Sequence, residues 1–236
     1  MVMLSIGAIL GITASCLVTC ILLIIKFRRI FYTKKKVHVA KESISRTMSG
    51  NLVVEQTNIP IETIYNLKKT KIGRGSSAEV IIGIHINSRR KYAIKVIDTT
   101  RHDSRRLFER YEREKNILRD IDHTNIIRLF EVYLAPSAQY FVMELCTGGH
   151  LGQVLARQVE GRLDIDRAKQ YIHQITRAVA HLHGVHICHR DIKLQNILLE
   201  SDHEGAQIKL IDFGNSWTFK KGKFMTKIVG TTYTAA

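Results

Sequence analysis

Acidic residues are in short supply: 21 Asp and Glu stand against 36 Lys and Arg, a formal net charge of +15. Such a balance suggests nucleic acid or an anionic membrane surface as a partner. The aromatic-interleaved basic repeats that stack on RNA bases are absent, so no nucleic acid is expected. Cysteine is also scarce, with Cys16, Cys20, Cys146 and Cys188 the only four. Their spacing fits neither a zinc site nor a disulfide framework, which agrees with a reducing compartment for the folded part. Cys188 reads as a small packing residue rather than a nucleophile. No loop of alternating Asp or Asn with Gly, the calcium-binding pattern, occurs anywhere. There are two prolines: Pro60 marks the approach to the folded region and Pro136 sits in a turn.

Charge is missing altogether from residues 1–25. About 20 apolar residues span a bilayer core of roughly 30 Å, so the run is long enough for a membrane helix. A cleaved signal peptide carries its basic residues first. Here they follow: Lys26, Arg28, Arg29, Lys34, Lys35, Lys36, Lys41 and Arg46 face one acid, Glu42, before residue 50. An uncleaved single-pass anchor is therefore favoured over a signal peptide, with the basic side and everything after it in the cytosol. Residues 26–63 read as a basic linker, polar and without a clear period. Residues 26–36 either contact anionic lipid or form a solvated tether.

From residue 64 the pattern turns to short strand-like runs. Ile72-Gly73-Arg74-Gly75-Ser76-Ser77-Ala78-Glu79-Val80 sets two glycines between β-forming segments. Such a turn lets backbone N–H groups approach phosphate oxygens without Cβ interference. The run Lys91-Tyr92-Ala93-Ile94-Lys95-Val96-Ile97 alternates like a strand and carries a lysine between two apolar residues. A helix is expected over 104–120, with Leu107, Tyr111, Glu114 and Leu118 on one stripe. Glu114 therefore faces inward, while Glu109 and Glu112 fall off the stripe. A buried carboxylate is costly unless paired, and Lys95 is its natural partner.

Strand-like runs over 126–133 and 140–145 flank Pro136. Asp164 or Asp166 can cap a helix reaching about residue 183, with Tyr171, Ile175, Ala178 and Leu182 facing the core. Then comes His189-Arg190-Asp191-Ile192-Lys193-Leu194-Gln195-Asn196, which places a candidate base, two cations and a metal-capable amide within eight residues. Twenty-one residues after Asp191, the apolar run 208–211 leads into Asp212-Phe213-Gly214.

In this order, these stretches resemble the eukaryotic protein kinase family, Ser/Thr type, over about residues 65–236. The runs DHTNIIRLFEVY and FMTKIVGTTY are most similar to the calcium/calmodulin-dependent and calcium-dependent group. The resemblance implies an α+β, two-lobe fold over residues 64–236. It has a small antiparallel β lobe with one key helix and a mainly helical second lobe, preceded here by the transmembrane helix. The family pattern continues into further helices beyond Ala236, so the second lobe is expected to be incomplete.

The implied activity is transfer of the ATP γ-phosphate to Ser or Thr hydroxyls of a protein substrate, with Mg²⁺. The alternative is a nucleotide-binding pseudokinase or scaffold. By resemblance, Asp191 orients the hydroxyl and accepts its proton, and Lys193 neutralises the γ-phosphate. Thr231 bridges Asp191 and Lys193. Lys95, paired with Glu114, holds the α and β phosphates, and Asn196 and Asp212 hold Mg²⁺. Ile72, Gly73 and Gly75 form the phosphate-covering turn, and Val80, Ala93 and Leu198 sandwich the adenine. Met143 guards the back of that pocket, and the backbone of Glu144 and Cys146 meets the adenine edge.

Three departures stand out. Ala78 replaces the third glycine, which implies a stiffer loop. His150 and the pair Leu194-Gln195 replace acidic substrate-reading positions, which argues against assuming a basic substrate preference. Thr226 is either a phosphorylation site on the activation segment or an unregulated surface threonine.

Overall fold

In a computed structural model of the chain, the structure describes residues 41–46, 52–57, 59–74, 78–100, 104–158, 161–220 and 222. All belong to the unit Lys41–Ala236. Strands β1 (Lys41–Arg46) and β2 (Leu52–Thr57) come first, followed by β3 (Tyr65–Arg74), β4 (Ala78–His85) and β5 (Lys91–Asp98). Helix α1 (Ser104–Asp120) precedes β6 (Leu129–Leu134) and β7 (Ala138–Met143). Next come α2 (Leu151–Ala156) and α3 (Ile165–Gly184), then the short strands β8 (Ile187–Cys188), β9 (Ile197–Leu199), β10 (Ile208–Leu210) and β11 (Trp217–Thr218).

The first seven strands form one sheet in the order β1-β2-β6-β7-β5-β4-β3. Pairing is antiparallel throughout except between β2 and β6, where Val54 faces Glu131 in parallel register. The meander β3-β4-β5 and the β6-β7 hairpin follow from alternating apolar residues with turns between them. Strands β1 and β2 were not expected: they fall inside the stretch 26–63 read as a linker. The parallel pairing with β6 rests on backbone bonds, and of residues 53–57 of β2 only Val53 is buried. Its sequence therefore shows little period. The membrane helix expected over 1–25 lies outside the described residues. Among the described residues, no helix is long and apolar enough to cross a membrane.

Helix α1 spans the residues that its 3.6-residue period marks. Tyr111, Glu114 and Leu118 are buried, and Leu107 packs against the core. Helix α3 opens on Asp164, whose side chain accepts a bond from Arg167 N at 2.9 Å. That bond satisfies one of the donors left over at a helix start. Its Tyr171, Ala178 and Leu182 are buried together with Gln174.

One large core joins α1, β6, α3 and the short strands β8–β10, through Ile117, Leu129, Leu182, Leu199 and Leu210 among others. Each such side chain contributes about 1.5–3 kcal/mol on burial. A smaller cluster of Ile61, Tyr65, Ile94, Tyr133 and Val142 forms a second apolar core. There the Tyr65 ring meets Tyr92 and Tyr133 edge-on at 5.6 and 6.2 Å.

A buried polar junction fixes the loop before β6 onto the helical part. Asn125 Nδ2 donates to Gln174 Oε1 at 2.9 Å and to Ile208 O at 3.2 Å. Gln174 Oε1 also accepts from Ile208 N at 2.8 Å, and Leu210 N donates to Asn125 O at 2.9 Å. Every member is bonded, so burial costs little and the register of β10 is specified.

Candidate active site

A cleft of about 780 Å³ is lined from the sheet side by Ile72, Gly73, Val80, Ala93 and Lys95, and from the other side by Lys193, Asn196, Leu198 and Asp212. That volume lies in the range of small-molecule sites. Val80 pairs with Lys95 across β4 and β5, and Ala93 pairs with Met143 across β5 and β7. Sheet register alone therefore gathers the apolar residues expected around a flat ring beside the lysine. Ile72 and Gly73 line the cleft as expected. Gly75 lies outside the described residues, and so do Thr226 and Thr231.

The sharpest feature is an ion pair between strand and helix. Lys95 Nζ donates to both oxygens of Glu114, at 2.6 and 2.7 Å, across 19 residues of sequence. The Glu114 side chain is 2% exposed and that of Lys95 is 14% exposed. Lys95 also lies 5.3 Å from the centre of the Tyr111 ring. The pair fixes helix α1 against β5 and holds an ammonium group at the cleft wall.

On the opposite side, the loop after β8 turns back through Arg190, whose φ of 64° lies in the left-handed region. That conformation is strained for a residue with a side chain. It is held by the Arg190 Nε bond to Asn215 O at 2.8 Å. His189 is buried, donating from Nε2 to Ile211 O at 3.0 Å and accepting at Nδ1 from Asp191 N at 3.3 Å. Burial keeps the imidazole on the neutral side of its ordinary range. Asp191, 3% exposed, is thereby oriented by its own backbone. Its Oδ2 accepts from Lys193 Nζ at 3.0 Å and from Asn196 Nδ2 at 3.1 Å. The candidate base, one of the two cations and the amide expected in this loop thus form one hydrogen-bonded cluster.

Asn196 Nδ2 also donates to Asp191 O at 2.8 Å, which turns its amide oxygen away as the acceptor end. Asp212, with φ of 62°, lines the same cleft and sits 3.5 Å from Arg110 Nη2. Phe213 is fully buried, its ring edge on His189 at 4.8 Å between centres. An amide oxygen and a carboxylate are hard donors of the kind Mg²⁺ takes. Mg²⁺ is commonly held by one or two protein ligands together with substrate phosphates. The donor set fits that cation.

At the connection between the two parts, Glu144 N donates to Arg128 O at 3.0 Å, and the Glu144 side chain pairs with Lys209 at 2.7 Å. Its carbonyl and the Cys146 backbone can meet a ligand edge. Burial, with Glu144 close by, pushes the Cys146 thiol up to about 12, so it is inert at neutral pH. Gly148 is required by a close approach: a Cβ there would lie 2.1 Å from Ser201 O.

Several lining residues were not singled out from sequence. Arg110 belongs to α1 and lies one turn before Glu114, a signal that helical spacing offered; Tyr111, expected on the inward stripe, lines the cleft as well. Gln153 and Ile211 also line the cleft. His150 serves the structure: its Nδ1 accepts from Gln153 N at 3.1 Å, while Gln153 Oε1 accepts from His150 N at 3.1 Å. It is the reciprocal cap of α2.

Comparison with known proteins agrees with this geometry. The family model described as protein kinase domain matches residues 65–236. Calcium-dependent protein kinase 5 of Plasmodium berghei (strain Anka) is 35% identical over 195 residues, covering 81% of this chain and 34% of that protein. Hormonally up-regulated neu tumor-associated kinase of Mus musculus is 40% identical over 153 residues, covering 64% and 21% respectively. SNF-related serine/threonine-protein kinase of Rattus norvegicus is 36% identical over 171 residues, covering 72% and 22%. The chain thus spans about a third or less of the length of these relatives.

Proposed function

Because the chain belongs to the protein kinase family and one of the relatives it matches is a serine/threonine-protein kinase, we propose that it transfers the γ-phosphate of ATP to Ser or Thr hydroxyls of protein substrates. The observation that carries this reading is the Lys95–Glu114 pair, which holds a cation over the cleft that Lys193, Asn196 and Asp212 border from the other side, with Asp191 bonded to Lys193 and Asn196. Phosphoryl transfer asks for positioning and charge neutralisation more than for covalent chemistry.

In the proposed reaction the Asp191 carboxylate receives the proton of the substrate hydroxyl. The hydroxyl oxygen bonds to the γ-phosphorus as the bond to the β–γ bridging oxygen breaks, leaving ADP. Lys193, already 3.0 Å from Asp191, would balance the charge of the transferred group. Lys95 would hold the α and β phosphates. Val80, Ala93 and Leu198 would enclose the adenine, with Met143 behind it. Asn196 and Asp212 would hold Mg²⁺, which offsets phosphate charge when bound.

The membrane part of the reading rests on sequence. Residues 1–25 are proposed as a single-pass anchor and 26–36 as its cytosolic flank, supported by the uncharged run and the basic cluster after it. Resistance to alkaline carbonate extraction in the full chain, lost when residues 1–25 are deleted, is the expected result.

For the activity, the full chain is melted with and without Mg-ATP and then given generic protein substrates with labelled ATP. A raised midpoint with label on Ser or Thr is expected. A raised midpoint with no transfer would make the chain a nucleotide-binding pseudokinase.

A further inference from the structure

We propose that Trp217, the sole tryptophan of the chain, is a positioning residue that clamps helix α1 to the catalytic loop through two arginines. Arg113 Cζ lies 4.6 Å from the centre of the indole ring, and Arg190 Cζ lies 5.5 Å from it. Both distances fall within the reach of a cation–π contact. The two arginines come from separate parts of the fold, and each immediately precedes a residue of the site. Arg113 comes before Glu114, the partner of Lys95, and Arg190 comes before Asp191, the proposed base.

The ring is well placed to act as a clamp. Trp217 pairs with Cys188 across β11 and β8, directly before the catalytic loop. Ser216 on one side is fully buried, with Oγ bonded to His189 O at 3.3 Å. Two residues on, Phe219 N donates to His186 O at 2.8 Å. The backbone is therefore pinned on both sides of an indole that remains 42% exposed. A large apolar residue is thus left with over two fifths of its surface in solvent. Holding two guanidinium groups gives it a use.

The need for such a clamp follows from charge. Arg113 and Arg190 repel each other, and Arg113 is among the groups that lower the Arg190 pKa, after desolvation. Arg190 must also keep its left-handed backbone, which Asn215 O supports. An electron-rich ring contacted by both cations offsets the repulsion and brings α1 toward the loop. If α1 swings away, Glu114 leaves Lys95 and Arg113 leaves Trp217 in the same movement.

The catalytic consequence rests on the kinase reading, but the clamp itself can be read without turnover, because Trp217 is the only tryptophan fluorophore. Three variants of the full chain are compared with wild type: Trp217→Ala, Trp217→Phe and Arg113→Gln. Loss of two partly exposed cation–π contacts is expected to lower kcat about tenfold in Trp217→Ala. The KM for ATP stays within about twofold, because the walls of the nucleotide cleft are untouched. Trp217→Phe keeps a ring and recovers most of the rate. In Arg113→Gln, acrylamide quenching of Trp217 emission rises, since one cover of the ring is gone. Equal kcat in Trp217→Ala and wild type, or unchanged quenching in Arg113→Gln, overturns the proposal. If Trp217→Ala fails to fold by circular dichroism, the Phe and Gln variants still decide. If wild type transfers no phosphate, the functional reading fails while the quenching result still judges the clamp.

Discussion

Replacing Lys95 with methionine separates the structural from the catalytic role of the ion pair. Methionine fills much of the lysine stem but leaves the Glu114 carboxylate, 2% exposed, without its cation. Breaking a buried pair by removing one partner costs about 3–5 kcal/mol. The Lys95 side chain retains 14% exposure, which places the expectation near about 3 kcal/mol. With a urea slope of about 2 kcal/mol per molar, the unfolding midpoint should fall by about 1.5 M. Transfer should be abolished. In the double variant Lys95→Met with Glu114→Leu, an apolar pair occupies the site and no charge is stranded. Most of the lost stability should return while transfer remains absent. Both quantities are read by urea titration followed by circular dichroism and by label incorporation. An unchanged midpoint in Lys95→Met, or a double variant no more stable than the single one, would refute the energetic argument. Retained transfer would refute the assignment of Lys95 to the phosphates.

Asp191→Asn keeps shape and removes the base; transfer should fall by about 10²–10⁴-fold, while Mg-ATP still raises the melting midpoint. Val53→Ala deletes two methyl groups from a side chain that is 3% exposed, which should cost about 1.5 kcal/mol; no change in the urea midpoint would show that β2 does not pack on the core. His123 is held below the usual histidine range, mainly by burial and then by His181, Arg177 and Lys209, although Asp122 opposes them. The unfolded chain therefore takes up a proton near pH 6.5 that the native chain refuses. Stability should be full above that pH and decline as pH falls through it, because protonation also removes the Nδ1 acceptor used by Asn125 N at 3.0 Å. His123→Asn, which keeps an acceptor but does not titrate, should flatten the stability profile between pH 7 and 5; an identical slope would exclude His123 as its source.

What could be read from the sequence was whatever violates a local rule. Glu114 on the apolar stripe of a helix needs a buried cation, and the structure supplies Lys95. The α1 span was legible, and the cap of α3 was narrowed to Asp164 or Asp166, because period and capping are local; the structure selects Asp164. Strand β2 was not, since its place depends on a free edge of β6 that becomes visible only once the sheet exists. The sequence shows at His150 only the loss of an acid; its capping of α2 depends on the reciprocal Gln153 bond, which only the structure reveals. The neighbours of Trp217 were illegible for the same reason as β2. Arg113 and Arg190 are 77 residues apart in sequence and meet only when β11 pairs with β8.

These contacts converge on a short stretch of helix α1. Arg110 reaches Asp212 at 3.5 Å, Arg113 lies over Trp217, Glu114 binds Lys95, and Lys115 meets Glu55 of β2 at 3.7 Å as well as Glu112 at 2.8 Å. At about 100° per residue, adjacent positions point to different sides of the helix. One turn and a half of α1 therefore touches the turn at Asp212, strand β11, Lys95 of β5 and strand β2. The Lys115 side chain is 8% exposed, so losing Glu55 weakens the compensation of a nearly buried charge next to the Glu114 carboxylate. A rigid helix cannot shift at Lys115 and stay in place at Glu114. Displacing β1 and β2 from β6 therefore removes a contact from the same turn of helix that carries Glu114, which links the segment following the proposed membrane anchor to the partner of the lysine that would hold the nucleotide phosphates.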